Sequence, residues 1–291
     1  MDATRTFEAN GIELAVTEAG EGPPVVLVHG FPELAYSWRH QLPALASAGL
    51  RAIAYDLRGY GGSSKPENID DYGLITLVDD LIGLLDAEDI ERAALVGHDW
   101  GSIVVWSAAL LHPERVSQIV SLNVPYRGWC AGFPSTEHME RDDALRARFG
   151  YVLHFQEEGR AEKAFARSPS DWLRRSFHGV TADTDFQSPE EFAVYVDAFT
   201  EGGIAGPINY YRNIDANLEA TAHLKDVHVT QPTLMVTTDF DPILPASLAE
   251  GMERWVPDLT TAHVEGSGHW TQQEQPERVN EILTGFLAPA G

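Results

Sequence analysis

The chain has 291 residues, 44% hydrophobic and 10% aromatic, which suits one large globular domain or two unequal ones at about 150 residues each. Its 44 acidic residues outnumber 20 basic ones, for a formal net charge of −24. A surface this acidic favours solubility and offers no cationic footing for nucleic acid or an anionic membrane, so neither is an expected partner.

Residues 1–10 include Asp2 and Glu8 and lack the apolar stretch of a secretory signal, which predicts a cytoplasmic protein. Pro24–Val28 is an uninterrupted apolar run leading to Gly30, as expected of a strand buried on both faces. Arg51–Tyr55 and the runs 93–96, 119–122 and 233–236 read the same way. Residues 76–89 carry Val78, Leu81, Ile82 and Leu85 at helical spacing, with Asp79, Asp80 and Asp86 on the other side and Thr76 as the expected N-cap. Residues 102–111 predict another helix, whose apolar stretch from Ile103 is interrupted by Ser107 and falls far short of the roughly 18 residues of a membrane span. This alternation predicts an α/β fold with a mostly parallel sheet flanked by helices.

Past Pro125 the strand runs stop, and helical blocks such as 142–156 and 189–200 take over until Pro232. The expected organisation is a core over 1–125, an inserted helical lid over 126–225 and a second core part over 226–291, with ligand held between lid and strand ends. The single cysteine, Cys130, excludes an internal disulfide framework and a zinc site of several thiolates, and is read as a small packed residue.

Gly97-His98-Asp99-Trp100-Gly101 lies between a predicted strand and a predicted helix, the setting of a nucleophile elbow. Its central residue is a carboxylate, with a reference pKa of about 3.9, so it is ionised at neutral pH and can attack an electrophilic carbon without a base. His29-Gly30-Phe31-Pro32-Glu33 ends the first buried strand, and the amides of Phe31 and Trp100 are the candidate oxyanion hole. Gly266-Ser267-Gly268-His269-Trp270 offers His269 as general base, and Asp241 or its neighbour Asp239 as the acid that orients it. Two residues stay open: His98 as support for the elbow, and Glu33 as a water-ordering or a solvent-facing group. The chain order nucleophile, acid, base is that of the α/β-hydrolase arrangement.

With these motifs the chain resembles, over nearly its whole length, the α/β-hydrolase-fold epoxide hydrolases related to soluble epoxide hydrolases. The resemblance rests on HGFPE at 29–33, GHDWG at 97–101, GSGHWTQQEQP at 266–276, and two lid segments, FGYVLHFQ at 149–156 and GPINYYRN at 206–213. It favours Asp241 over Asp239, and places Asn123 where some relatives keep an alternative acid. It implies two lid tyrosines, Tyr151 and Tyr211, that donate to the epoxide oxygen; the family usually shows Trp-Tyr where this chain has Tyr210-Tyr211. Phe31, Trp100, His154 and Tyr210 are the expected substrate-binding residues, and lid aromatics Trp172, Phe177, Phe192, Tyr195 and Phe199 are expected to shape the pocket.

A phenol with a reference pKa near 10 stays protonated at neutral pH and can both hydrogen-bond and protonate the alkoxide of an opening epoxide. The implied reaction needs only an epoxide and water, with no metal or organic cofactor. It passes through an Asp99 ester that a His269-activated water hydrolyses to a diol. A homodimer through a lid or edge face is compatible with the acidic surface. The alternatives are a haloalkane dehalogenase with the same nucleophile, which has no use for two phenols, and a non-catalytic ligand-binding protein of this fold, which has no use for the full set of five residues. An esterase is disfavoured because an aspartate attacking an ester would yield an anhydride.

Overall fold

The computed structural model describes residues 5–129, 132–182 and 185–288, so Cys130 lies outside the described residues. Eight strands form one sheet in the order β1-β2-β4-β3-β5-β6-β7-β8: β1 (Arg5–Ala9), β2 (Ile12–Ala19), β3 (Pro24–Val28), β4 (Arg51–Tyr55), β5 (Ala93–His98), β6 (Val116–Leu122), β7 (Thr233–Thr238) and β8 (Leu259–Val264). From β4 to β8 all neighbours are parallel, and β1 and β2 add an antiparallel edge. The apolar runs became the central strands because helices cover both faces, leaving no solvent side that would call for alternation. Strand β3 matches its expected run residue for residue, as does β4. The β1–β2 hairpin was not anticipated. Its turn is Asn10-Gly11, with φ of 48° and 75°, the left-handed pair that a tight two-residue hairpin requires.

Among the described residues there are twelve α-helices: α1 (Gln41–Ser47), α2 (Leu74–Ala87), α3 (Trp100–Leu111), α4 (Thr136–Arg141), α5 (Asp143–Phe155), α6 (Arg160–Arg167), α7 (Pro169–His178), α8 (Pro189–Gly202), α9 (Ala205–Arg212), α10 (Ile214–Ala220), α11 (Thr271–Glu274) and α12 (Pro276–Leu287). Between β6 and β7 the described residues hold helices and no strand. No helix among the described residues is long and apolar enough to cross a membrane.

Helix α2 corrects two expectations. It begins at Leu74, so Thr76 lies inside it and the N-cap position is Gly73. The first-turn amide of Leu74, which is buried, instead donates to Asn217 Oδ1 of α10 at 2.7 Å, a cap supplied from 143 residues away. Asp80, expected on the solvent side, is 1% exposed. Both its oxygens pair with the Arg58 guanidinium at 2.6 and 2.8 Å, which is how a carboxylate survives burial.

The helical layer is fixed to the core by polar side chains reaching backbone. Tyr210 Oη donates to Arg58 O at 2.8 Å, and Asn213 Nδ2 to Ile69 O at 2.7 Å. On the other side Trp270 Nε1 of the core donates to Phe177 O of α7 at 2.8 Å.

Candidate active site

The ends of the parallel strands converge on one point. Asp99 follows β5 with φ of 51°, a left-handed backbone that an aspartate holds only under constraint. The constraint is the fit of its flanking glycines: a Cβ on Gly101 would lie 1.9 Å from Val28 O, and one on Gly97 would lie 2.5 Å from Ser102 N. Only glycine lets strand, turn and helix approach this closely, and the turn lifts the Asp99 side chain above the sheet.

Phe31 N–H, past the end of β3, donates to Asp99 Oδ1 at 2.9 Å. The second expected amide, that of Trp100, makes no hydrogen bond to the carboxylate. Asp99 Oδ2 faces His269 Nε2 at 3.7 Å, and His269 Nδ1 lies 2.7 Å from Asp241 Oδ2. Asp241 is the acid brought to His269. Asp239 instead accepts from His263 at 2.8 Å and from Gly266 N–H at 2.8 Å on the surface. Asp241 Oδ1 accepts the amides of Ile243 and Leu244, at 2.9 and 2.8 Å, and Asn123 Nδ2 donates to Oδ2 at 2.9 Å.

Burial opposes ionisation of Asp241, but the charge and hydrogen bond of His269 outweigh it and hold the carboxyl down at about 2. Burial likewise lowers His269, yet Asp241 and Asp99 raise it to about 9. At neutral pH the resting site therefore holds imidazolium between two carboxylates.

His269 is also clamped through its backbone. Its N–H donates to Val180 O at 2.9 Å, and its carbonyl lies 2.7 Å from His98 Nε2. His98 Nδ1 lies 2.6 Å from Glu33 Oε2. Glu33, expected to order water or face solvent, does neither: it is fully buried and also accepts from Gly30 N–H, Gln272 Nε2 and Gln273 Nε2. With four donors on it, Glu33 is a carboxylate, and His98 must donate from both ring nitrogens. Burial pushes the Glu33 pKa up, and the His98 charge reverses the balance to about 2.

Two phenols line the same cavity as Asp99. Tyr151 of α5 and Tyr211 of α9 lie edge to face, ring centroids 5.7 Å apart. Both are held well above the ordinary tyrosine pKa, by burial first; Asp99 adds to both, and Tyr151 adds to Tyr211, so both keep their protons. Asp99, His269, Tyr151 and Tyr211 share a cavity of about 350 Å³. Its other walls include Phe31, Phe155, Trp172, Ile243 and Trp270, with Arg175 and Val180 also lining it. A larger cavity of about 650 Å³ is lined by Tyr36, Asp56, Lys65 and Glu201 and contains none of these reactive groups.

Several expected lining residues lie elsewhere. Tyr210, one residue from Tyr211 on the helix, turns into the core. His154 lines a separate cavity of about 330 Å³ with Glu157, Arg160 and Lys163. Trp100 is fully buried behind Tyr211, at 5.2 Å between rings, and does not reach the cavity surface. Of the five lid aromatics expected to shape the pocket, Trp172 lines the cavity; Phe177, Phe192, Tyr195 and Phe199 are buried outside its lining. Reading the sequence missed Arg175 and Ile243, which carry no motif, and Phe155, which lies within the quoted 149–156 segment but was not singled out.

Residues 23–276 match the family model described as alpha/beta hydrolase fold. Epoxide hydrolase A of Mycobacterium tuberculosis is 40% identical, the match covering 97% of this chain and 96% of that protein. Bifunctional epoxide hydrolase 2 of Rattus norvegicus is 36% identical over 95% of this chain, which spans 54% of the rat protein. The crystal structure of Epoxide Hydrolase A from Mycobacterium thermoresistibile superposes with a TM-score of 0.89 at 41% identity, covering 98% of both chains.

Proposed function

Since the chain belongs to the α/β-hydrolase fold family and to its epoxide hydrolases, we propose that it hydrolyses an epoxide to a vicinal diol through an aspartyl ester. The observation that carries the reading is that the Asp99 carboxylate shares a single cavity with two protonated phenols, Tyr151 and Tyr211.

The free oxygen of Asp99, Oδ2, attacks a ring carbon and the ring C–O bond breaks. The phenols hold the ring oxygen and supply its proton, so the charge that left the carboxylate does not accumulate on an alkoxide. Ester formation removes the Asp99 charge that favours the imidazolium, so His269 gives up its proton, which restores the phenol, and, oriented by Asp241, then takes a proton from water through Nε2. The water oxygen adds to the ester carbonyl carbon, and the oxyanion forms at Oδ1, where Phe31 N–H already donates. Collapse releases the diol, with its oxygen protonated from His269, and the proton of the new carboxyl passes to His269, which restores the imidazolium beside a carboxylate carrying one water oxygen. The helices between β6 and β7 act as a cap that brings the phenols over the core.

Dehalogenation is disfavoured by the same phenols: a departing halide needs no proton. One turnover in heavy-oxygen water should place the label in Asp99. Label found only in the diol overturns the ester route.

A further inference from the structure

The indole of Trp100 is fully buried, and its Nε1–H has no acceptor in hydrogen-bonding geometry. Buried donors are rarely left so. Trp106 and Trp270, equally buried, donate to Val124 O at 3.0 Å and Phe177 O at 2.8 Å. Trp38 shares the unpaired state, but packs in the core on the other face of the sheet. Trp100 immediately follows the nucleophile, and its ring meets Phe133, Tyr210 and Tyr211 at centroid separations of 5.4, 5.4 and 5.2 Å. The Tyr211 contact is perpendicular, at 90°.

Building on the epoxide hydrolase reading, we propose that Trp100 is a positioning residue whose indole N–H is held in reserve for the negative charge that Tyr211 acquires during ring opening. As Asp99 Oδ2 bonds to the ring carbon and the C–O bond breaks, the Tyr211 hydroxyl proton passes to the ring oxygen. The single negative charge thus moves from carboxylate to phenolate oxygen. A donor unpaired in the resting state and satisfied only when that charge arrives favours the transition state over the ground state. Burial, Tyr151, Asp99 and Tyr60 all disfavour ionised Tyr211, and the nearby Trp100 indole acts the other way although it makes no hydrogen bond of good geometry in the resting state.

The test is the single-turnover rate of ester formation with styrene oxide in four enzymes: wild type, Trp100→Phe, Tyr211→Phe and the double variant. Trp100→Phe should slow ring opening about tenfold or more, the size of one lost hydrogen bond to a charged group, without weakening substrate binding. In the Tyr211→Phe background the same change should cost nothing further. Equal losses in both backgrounds, or no loss in either, overturn the proposal. A second measurement avoids any packing defect: replacing all seven tryptophans with fluorotryptophan makes the indole N–H more acidic while keeping the ring. It should speed ring opening with Tyr211 present and leave the Tyr211→Phe enzyme unchanged; the same response in both overturns the role of Trp100. A wild-type protein that forms no diol defeats the epoxide hydrolase reading itself, which is a separate outcome.

Discussion

Phe31 N–H holds one oxygen of Asp99, at 2.9 Å from Oδ1, and leaves the other turned toward His269. In the proposed reaction this gives the two carboxylate oxygens different parts: Oδ2 would attack, and Oδ1 is where oxyanion charge would later develop.

The division predicts that the two half-reactions separate cleanly. In His269→Gln, Asp99 still opens the ring but no base activates water. The enzyme should gain the mass of one epoxide, carried on the peptide containing Asp99, while steady-state turnover falls by about 10³-fold or more. Loss of turnover with no adduct in the intact-mass spectrum would count against an ester.

The phenols should act before the ester, and together. Tyr151→Phe or Tyr211→Phe alone is expected to slow ring opening by about 10²-fold, the usual scale for a positioned acid, and the double variant should abolish it. Rapid-quench measurement of ester formation checks this; decay of ester already formed should be unaffected by either change.

The pH profile follows from the charges around His269. In the free enzyme its pKa is raised to about 9, with Asp241 and Asp99 both favouring the proton. Below that value it is imidazolium and cannot accept a proton from water. Esterification neutralises Asp99 and removes one of the two charges, so the pKa falls in the intermediate. Ester decay should therefore rise with pH to a plateau with a midpoint below that of the free enzyme, read by NMR titration of His269. Identical midpoints would mean that the Asp99 charge is not felt at the base.

Stability should be sensitive to acid through Glu33. Its folded pKa, about 2, lies below its ordinary value of 4.5, so its contribution is present above pH 4.5 and is lost as pH falls toward 2. Glu33→Gln removes the carboxylate that pairs with buried His98, at a cost of about 3–5 kcal/mol. Urea midpoints at neutral pH and at low pH measure both effects; in the variant the acid-dependent part should shrink.

How much of this was written in the chain varies by residue. Central strands announced themselves because burial on both faces leaves an unbroken apolar run, as in Pro24–Val28. The elbow and the His269 loop were legible because glycines that permit a close approach cannot be replaced by another residue type. The β1–β2 hairpin was missed although its Asn10-Gly11 signal was present, because half its residues are polar at an exposed edge. Asp80 and Glu33 were misjudged for a different reason. Charged side chains look solvent-facing until their partners are known, and Arg58 and His98 are neighbours only in space. Tyr210 and Tyr211 could not be told apart by type, since adjacent positions on a helix point about 100° apart and only packing decides which one meets the cavity.

Tyr211 rides on a helix whose neighbouring side chains, Tyr210 and Asn213, grip the core backbone at Arg58 and Ile69, while Asn217 completes the first turn of α2. The proposed proton donor is thus positioned from the core loop as well as from its own layer, where Gln156 Nε2 donates to Tyr211 O. A chimera that transplants residues 126–225 onto a related core would misplace the phenol unless residues 58–74 travelled with them, so in this architecture the natural unit of exchange is not contiguous in the chain.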